Sequence, residues 1–346
     1  MTQEFQTFLE ENARSLEKKR KRLSASQGLY NYIVKPLQFI TSMVFFFFLI
    51  TGLIFPINWL GTIISFVVAL ILSNIRQPKY IYREYIKSEL LPKIFEYVNL
   101  NYSYYGYGYN AEILKSSGIF NSSFFSKSYR ITGEDFVSGS IDGVDLVFNE
   151  ISFYKEQVNV LKTSGGCLLS IILFPIAVLK GVEGIPFFGL IKDEVKYYKG
   201  MFMSADFHKN FHGEVMMIPN NLKSLTDRLS DLIFGKNYTK INLENAVIKD
   251  NYTVYGTNVQ ETFYILSPKI IDAIHEIFLR EKVTPVISFR GGKMFMTLPW
   301  NRDYFSTDLR VKVRGVEYFT QYIKEIESFE KMMRHFNLNT RIWTKE

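Results

Sequence analysis

The chain has 346 residues, of which 22% are charged and 16% aromatic, and it carries a formal net charge of +7. Its single cysteine excludes an internal disulfide framework and a CxxC redox motif, and four histidines leave little material for a histidine-based metal cluster. The charged fraction is that of an ordinary globular protein, and the length fits one or two domains.

A near-zero mean hydropathy conceals an uneven distribution. Residues 1–35 read as a helix, with Phe5, Phe8, Leu9 and Leu16 at roughly helical spacing. From Pro36 to Ile75 there are 40 residues without an Asp, Glu, Lys or Arg. A bilayer core takes about 20 apolar residues per helix, so residues 36–76 read as a two-helix transmembrane hairpin. One span covers about 37–55 and the other begins at Trp59, with Pro56, Ile57 and Asn58 as the break. A hairpin buried in a soluble core is the rival, but such hairpins show a polar stripe, and here the polar residues are scattered. The apolar run starts too late and is too long for a cleaved signal.

The flanks are basic. Lys18, Lys19, Arg20, Lys21, Arg22 and Lys35 precede the hairpin, and Arg76, Lys79, Arg83, Lys87 and Lys93 follow it, while the turn has no charge. Positive flanks stay in the cytoplasm, which predicts both termini there and a multi-pass chain in the cytoplasmic membrane. The same clusters suit anionic lipid headgroups. A nucleic-acid patch at Lys18–Arg22 is the competing reading, and beside a membrane hairpin no nucleic-acid partner is expected.

Residues 77–346 read as a cytoplasmic α+β domain with a mainly antiparallel sheet. Tyr82, Tyr85, Ile86, Leu90 and Ile94 predict a helix with Pro92 as a kink. The tyrosine-glycine run Tyr102–Tyr109 reads as an irregular segment covering a sheet edge, and base or sugar stacking is the alternative. Phe136–Ser140 and Val144–Phe153, joined at Asp142-Gly143, predict a hairpin. Further hairpins are predicted for Tyr198–Met203 with Glu214–Ile218, Tyr252–Gly256 with Glu261–Leu266, and Pro285–Phe289 with Lys293–Leu298. Helices are predicted over Leu222–Phe234, from Ser267-Pro268 onward, and over about Gly315–Phe336. The apolar insertion 165–191 contains Cys167–Leu179, 13 residues, too short to span. It fits contact with membrane or partner, or packing inside the core.

Reaction chemistry is sparse. The sharpest polar cluster is Asp206, His208 and His212, the candidates for a metal site. The flanking residues alternate like strands, and no glutamate follows His208, so the metalloprotease pattern fails. No GxSxG or phosphate-binding loop occurs. Cys167 sits in an apolar run and reads as a packing residue. Glu134 and Asp135 are adjacent carboxylates, and in a strand they point to opposite faces, which does not suit paired acid–base work. His275 and His335 read as surface or satisfied helix residues. No catalytic residue, cofactor or metal is expected.

Several short motifs share one order: Thr132-Gly-Glu-Asp135, Lys199–Phe202 with Ala205–Lys209 and Phe211–Gly213, Tyr264–Pro268, and Phe336–Lys345. They resemble a bacterial membrane-protein family, domain of unknown function 3137, over about residues 80–346 and the preceding hairpin. The insertion near 167–191 is longer and more apolar than the family pattern. The resemblance implies a membrane-anchored cytoplasmic domain with no established catalytic residues. It also implies, by association, a LemA-like membrane protein as partner. Gly133, Asp206, Gly213 and Asn339 equally suit turns that define the fold. The expected function is a membrane-anchored adaptor that binds another membrane protein or lipid, with homo-oligomers as a further option. A membrane-associated metal-dependent hydrolase using Asp206, His208 and His212 is the alternative.

Overall fold

A computed structural model describes residues 2–99, 101–120, 122–126, 128–158, 192–207, 209–221, 238–299 and 304–335. The predicted helix at Leu222–Phe234, the insertion 165–191, His208 and the motif Phe336–Lys345 lie outside the described residues. The helices are α1 (Gln3–Leu29), α2 (Lys35–Gly52), α3 (Trp59–Ser73), α4 (Pro78–Tyr85), α5 (Leu91–Val98), α6 (Ala111–Ser116), α7 (Ala246–Asn251), α8 (Val259–Ile265), α9 (Pro268–Glu281) and α10 (Glu317–His335). The strands are β1 (Ser103–Tyr107), β2 (Tyr129–Ile141), β3 (Val144–Val158), β4 (Lys192–Asp206), β5 (Val215–Pro219), β6 (Thr239–Ile241), β7 (Tyr252–Gly256), β8 (Val286–Arg290) and β9 (Lys293–Pro299). The fold is α+β. Two compact units divide the chain: Met1–Ile86 with Glu156–Glu194 and Thr307–Tyr318, and Lys87–Lys155 with Val195–Ser306 and Phe319–Glu346.

In the first unit, α1 runs through a wide π turn at Tyr30–Val34 into α2. Phe5, Leu9, Ala13 and Leu16 form the buried stripe of α1. The long helix ends at Gly52, three residues short of the expected boundary, and Pro56–Asn58 make a single 3₁₀ turn before α3. Further along, α4 packs antiparallel on α1: the Lys79 N–H donates to Gln27 Oε1 at 3.0 Å, and the Lys19 ammonium lies 3.3 Å from the centroid of the Tyr85 ring. The segment Thr307–Tyr318 is pinned to the same helices. Arg20 Nη1 donates to the Leu309 carbonyl at 3.2 Å, and the Val313 N–H donates to Glu17 Oε2 at 3.0 Å. Arg20, counted above among the basic flank, is therefore an internal tie and buried.

The second unit is built on a nine-stranded sheet, ordered β1-β2-β3-β4-β9-β8-β5-β7-β6. Each described pairing register is antiparallel. Along β3, Phe148 and Phe153 point to opposite faces because five residues separate them. On one face Phe153 joins Phe120, Phe124, Tyr198, Phe202 and Phe295. On the other, Phe148 stacks on Phe329 of α10 at 4.7 Å between centroids, and Phe95 of α5 lies 5.3 Å from Phe305. The sheet is thus covered on both sides by aromatic layers.

The hairpins predicted at Asp142-Gly143 and Gly291-Gly292 form β2–β3 and β8–β9. Two others do not form. Tyr198–Met203 lies in β4, which pairs with β9, and Glu214–Ile218 feeds β5, which pairs with β7 and β8. The connection between them crosses the β8–β9 hairpin instead of folding back. Phe207 holds it there, 5.1 Å from the Phe289 ring and 5.9 Å from Phe211, while its N–H donates to the Gly292 carbonyl at 2.9 Å. Residues 261–266 fall mostly in α8, not in a strand. Asn258 is the reason: its side-chain oxygen accepts from the Glu261 N–H at 3.0 Å, and Thr262 and Ile265 give the helix a buried face. Asn258→Ala is expected to cost about 1 kcal/mol, read as a lower thermal midpoint of the full chain in detergent. The tyrosine-glycine run is itself an edge strand, β1, rather than irregular cover, with Tyr104 buried and Tyr105 and Tyr107 exposed. The helix after residue 77 runs from Pro78 to Val98 through a π turn at Ile86–Leu90, with Pro92 in the first turn of α5.

Candidate functional site

Two features rise above ordinary packing: the outer surface of the α2–α3 hairpin and a buried ion cluster at Lys87. In the hairpin the usual burial pattern is inverted. The buried residues are Thr41, Ser42, Phe45 and Gly52 of α2 and Thr62, Ser65 and Leu72 of α3. The exposed ones include Ile40, Val44, Phe47, Ile50, Ile63, Val67 and Ile71. The seam hydroxyls are satisfied without water. Thr41 Oγ1 donates to the Leu37 carbonyl at 2.7 Å, Ser42 Oγ to Gln38 at 2.8 Å, and Ser65 Oγ to Gly61 at 2.7 Å. Between the arms, Gln38 Nε2 donates to the Leu72 carbonyl at 2.7 Å. Gly61 is required by the close approach, since a Cβ there would lie 2.7 Å from the Phe48 ring. Small and hydroxylated residues between helices, with branched aliphatics outside, are what helix packing in lipid favours. The continuous helical runs Gln3–Gly52 and Pro56–Val98, which contain α2 and α3, are each long and apolar enough to cross a membrane, and their apolar stretches are mostly exposed.

The second feature lies in the second unit. Lys87, on the π turn, has no exposed side-chain surface. Its Nζ donates to Asp135 Oδ2 at 2.8 Å and to Glu134 Oε2 at 3.0 Å. The Tyr104 hydroxyl donates to Asp135 Oδ1. Glu134 and Asp135 therefore face the same cation, contrary to the strand expectation. A β-bulge between Glu134 and Val137, with Asp135 at a φ of 53°, turns the second carboxylate round. Gly106 makes room for the lysine, because a Cβ there would stand 2.7 Å from Lys87 Cβ. Burial pushes the Asp135 carboxyl up to about 7, opposed by the Lys87 ammonium and the Tyr104 hydroxyl. Burial also raises the Tyr104 hydroxyl.

The sign of the linkage follows. Asp135 holds its proton more tightly folded than unfolded, so its contribution to stability is complete below about pH 4 and is lost as pH rises through about 7. At about 1.4 kcal/mol per unit the swing is at most roughly 4 kcal/mol. The unfolding midpoint of the wild type is expected to fall between pH 5 and pH 8 relative to that of Asp135→Asn. Parallel pH profiles would contradict this.

Of the sequence-predicted metal candidates, Asp206 and His212 lie among the described residues and His208 does not. Asp206 ends β4 and is ion-paired with Lys293 Nζ at 2.5 Å. His212 is exposed, and it is its backbone N–H that is held, donating to Glu261 Oε1 at 3.1 Å. Glu261 also accepts from the Gly213 N–H, so this part of the motif is a turn fixed by a carboxylate. Among the described residues no group of three or more His, Cys, Asp or Glu is placed to hold a metal ion. His275, half-buried on α9, has an Nδ1 that is buried without a hydrogen-bond partner. The Lys87 cluster was missed by sequence reasoning. Its signal was the alternation of tyrosine with glycine in Tyr104–Gly108, which marks a strand that another side chain crosses.

No curated protein matches the chain. The crystal structure of the mycobacterial trehalose monomycolate transport factor A, TtfA, aligns with 75% of this chain and 97% of that chain, at 10% sequence identity and a TM-score of 0.29. A likeness of that size carries no argument about fold or role. Residues 196–338, from β4 past α10, match the family described as Protein of unknown function (DUF3137), which is the family that the sequence motifs resemble.

Proposed function

We propose that the chain is a membrane-anchored interaction protein, whose α2–α3 hairpin inserts into the bilayer and whose sheet-bearing unit binds another membrane protein or lipid. The observation that carries the anchor is the inverted burial of the hairpin, with hydroxyls inside and aliphatic and aromatic side chains outside. In water such a surface drives aggregation, and in lipid it is solvated. The cations Lys35, Arg76 and Lys79 flank the apolar stretch on both arms, and the turn between them has none. That pattern supports a bacterial cytoplasmic membrane location with both ends of the chain in the cytoplasm. The cations also suit anionic headgroups.

The binding role rests on what the second unit offers. Among its described residues the ion pairs include Lys87 with Asp135 and Glu134, Lys199 with Glu150, Arg290 with Glu214 and Lys293 with Asp206. Its exposed face offers tyrosines on the edge strand β1, an arrangement suited to contact with a partner. The test is purification of the full chain from bacterial membranes in mild detergent after chemical crosslinking in cells. Recovery of a stoichiometric membrane protein, lost when Tyr105 and Tyr107 are changed to Ser, is the expected result. Recovery of the uncrosslinked chain alone, whatever the variant, contradicts the interaction role.

A further inference from the structure

The turn of the hairpin is built unlike a loop that projects into water. We propose that this tip, residues 53–60, seats at the boundary between acyl chains and headgroups of the far leaflet, so that its partner is lipid and not a soluble protein beyond the membrane. This rests on the membrane-inserted reading of the hairpin.

Three observations converge. The first is composition. Leu53, Ile54, Phe55, Ile57 and Leu60 are all at least 60% exposed, and the tip has no charged residue. Only Asn58 and Trp59 carry polar side-chain groups, and both suit an interface. The second is the backbone. The N–H groups of Leu53, Ile54, Phe55 and Asn58 donate to the carbonyls of Ile50, Thr51, Thr51 and Phe55 at 2.8–3.2 Å. The Trp59 N–H donates to the Pro56 carbonyl, and Pro56 has no N–H to satisfy. Backbone groups bordering hydrocarbon must find partners within the chain, and these N–H groups do. The third is reach. The 18 residues of α2 span about 27 Å, and the 15 of α3 with the 3₁₀ turn Pro56–Asn58 span about 28 Å. The hydrocarbon core is about 30 Å thick. With Lys35 and Arg76 held at the near surface, the arms bring the tip to the far boundary and no further.

The test uses the full chain with its single cysteine replaced, Cys167→Ser, and either Ile57→Cys or Ser24→Cys added, in sealed membrane vesicles of each orientation. Ser24 is an exposed position on α1. A charged, membrane-impermeant maleimide is expected to label the Ser24→Cys variant from one face only. It is expected to label the Ile57→Cys variant at least tenfold more slowly from either face, because a thiol at the dehydrated boundary does not ionise, and rapidly after denaturation in detergent. Labelling of the Ile57→Cys variant from the face opposite position 24, as fast as the Ser24→Cys variant reacts from its own, overturns the proposal while leaving the anchor intact. Release of the chain by an alkaline carbonate wash overturns the anchor and the proposal together. A second measurement needs no cysteine in the tip. In a Trp300→Phe, Trp343→Phe background, Trp59 fluorescence is expected to be quenched by brominated lipid more than by aqueous acrylamide, and the reverse order overturns the proposal.

Discussion

Replacing Lys87 with methionine is expected to destabilise the sheet-bearing unit by about 3–5 kcal/mol at about pH 8, where Asp135 is ionised, the cost of leaving a buried carboxylate without its cation. A domain's whole stability is about 5–15 kcal/mol, so the variant should show a sharply lowered unfolding midpoint or fail to accumulate. Methionine keeps the length of the side chain, so the loss reports the charge and not a cavity. Asp135 and Glu134 would both remain, with Asp135 wholly buried. Adding Asp135→Asn to Lys87→Met should recover part of the loss, because removing both partners costs less than removing one. Asparagine also tolerates the left-handed backbone that this position adopts. Lys240, exposed on β6, is the control: its change to methionine should stay within about 0.5 kcal/mol. Equal effects at 87 and 240 would show that the buried cluster does not hold the unit together.

The second large effect is expected on the outer face of the hairpin. Phe47 and Ile63 are 61% and 58% exposed, one on each arm. Arginine costs about 2.5–3.5 kcal/mol at the centre of a spanning helix and less toward its ends, and Phe47→Arg with Ile63→Arg adds one such charge to each arm, so the pair should move part of the chain from the membrane pellet to degradation or the soluble fraction. The same changes on a water-exposed helix would be neutral or would improve solubility. The sign of the response therefore separates the two environments. The amount of chain resisting alkaline carbonate, compared with wild type, is the readout.

The hairpin was legible because its signal is local and additive: forty uncharged residues admit few other structures. The turns at Asp142-Gly143 and Gly291-Gly292 were legible for the same reason, since a two-residue turn chemistry is contained in two residues. Pairing across the sheet was not. Nothing in the alternation of β4 says that its neighbour is β9, more than 85 residues later, and the aromatic anchor that decides it, Phe207 on Phe289, joins distant parts of the chain. The helix α8 was misread because its apolar residues suit either period, and the Asn258 cap was the feature that should have arbitrated. The bulge at Asp135 was invisible for a different reason. It depends on a lysine 48 residues earlier that needs both carboxylates on one side. Of the candidate metal residues, Asp206 is engaged by a lysine 87 positions away, a pairing that local spacing cannot reveal.

The environment of the exposed hairpin face can be measured at a single residue. A nitroxide attached at position 63, by Ile63→Cys in a Cys167→Ser chain reconstituted into lipid vesicles, should collide more often with oxygen, which partitions into hydrocarbon, than with a water-soluble nickel chelate. A label that collides mainly with the chelate would place this face in water and contradict the membrane anchor.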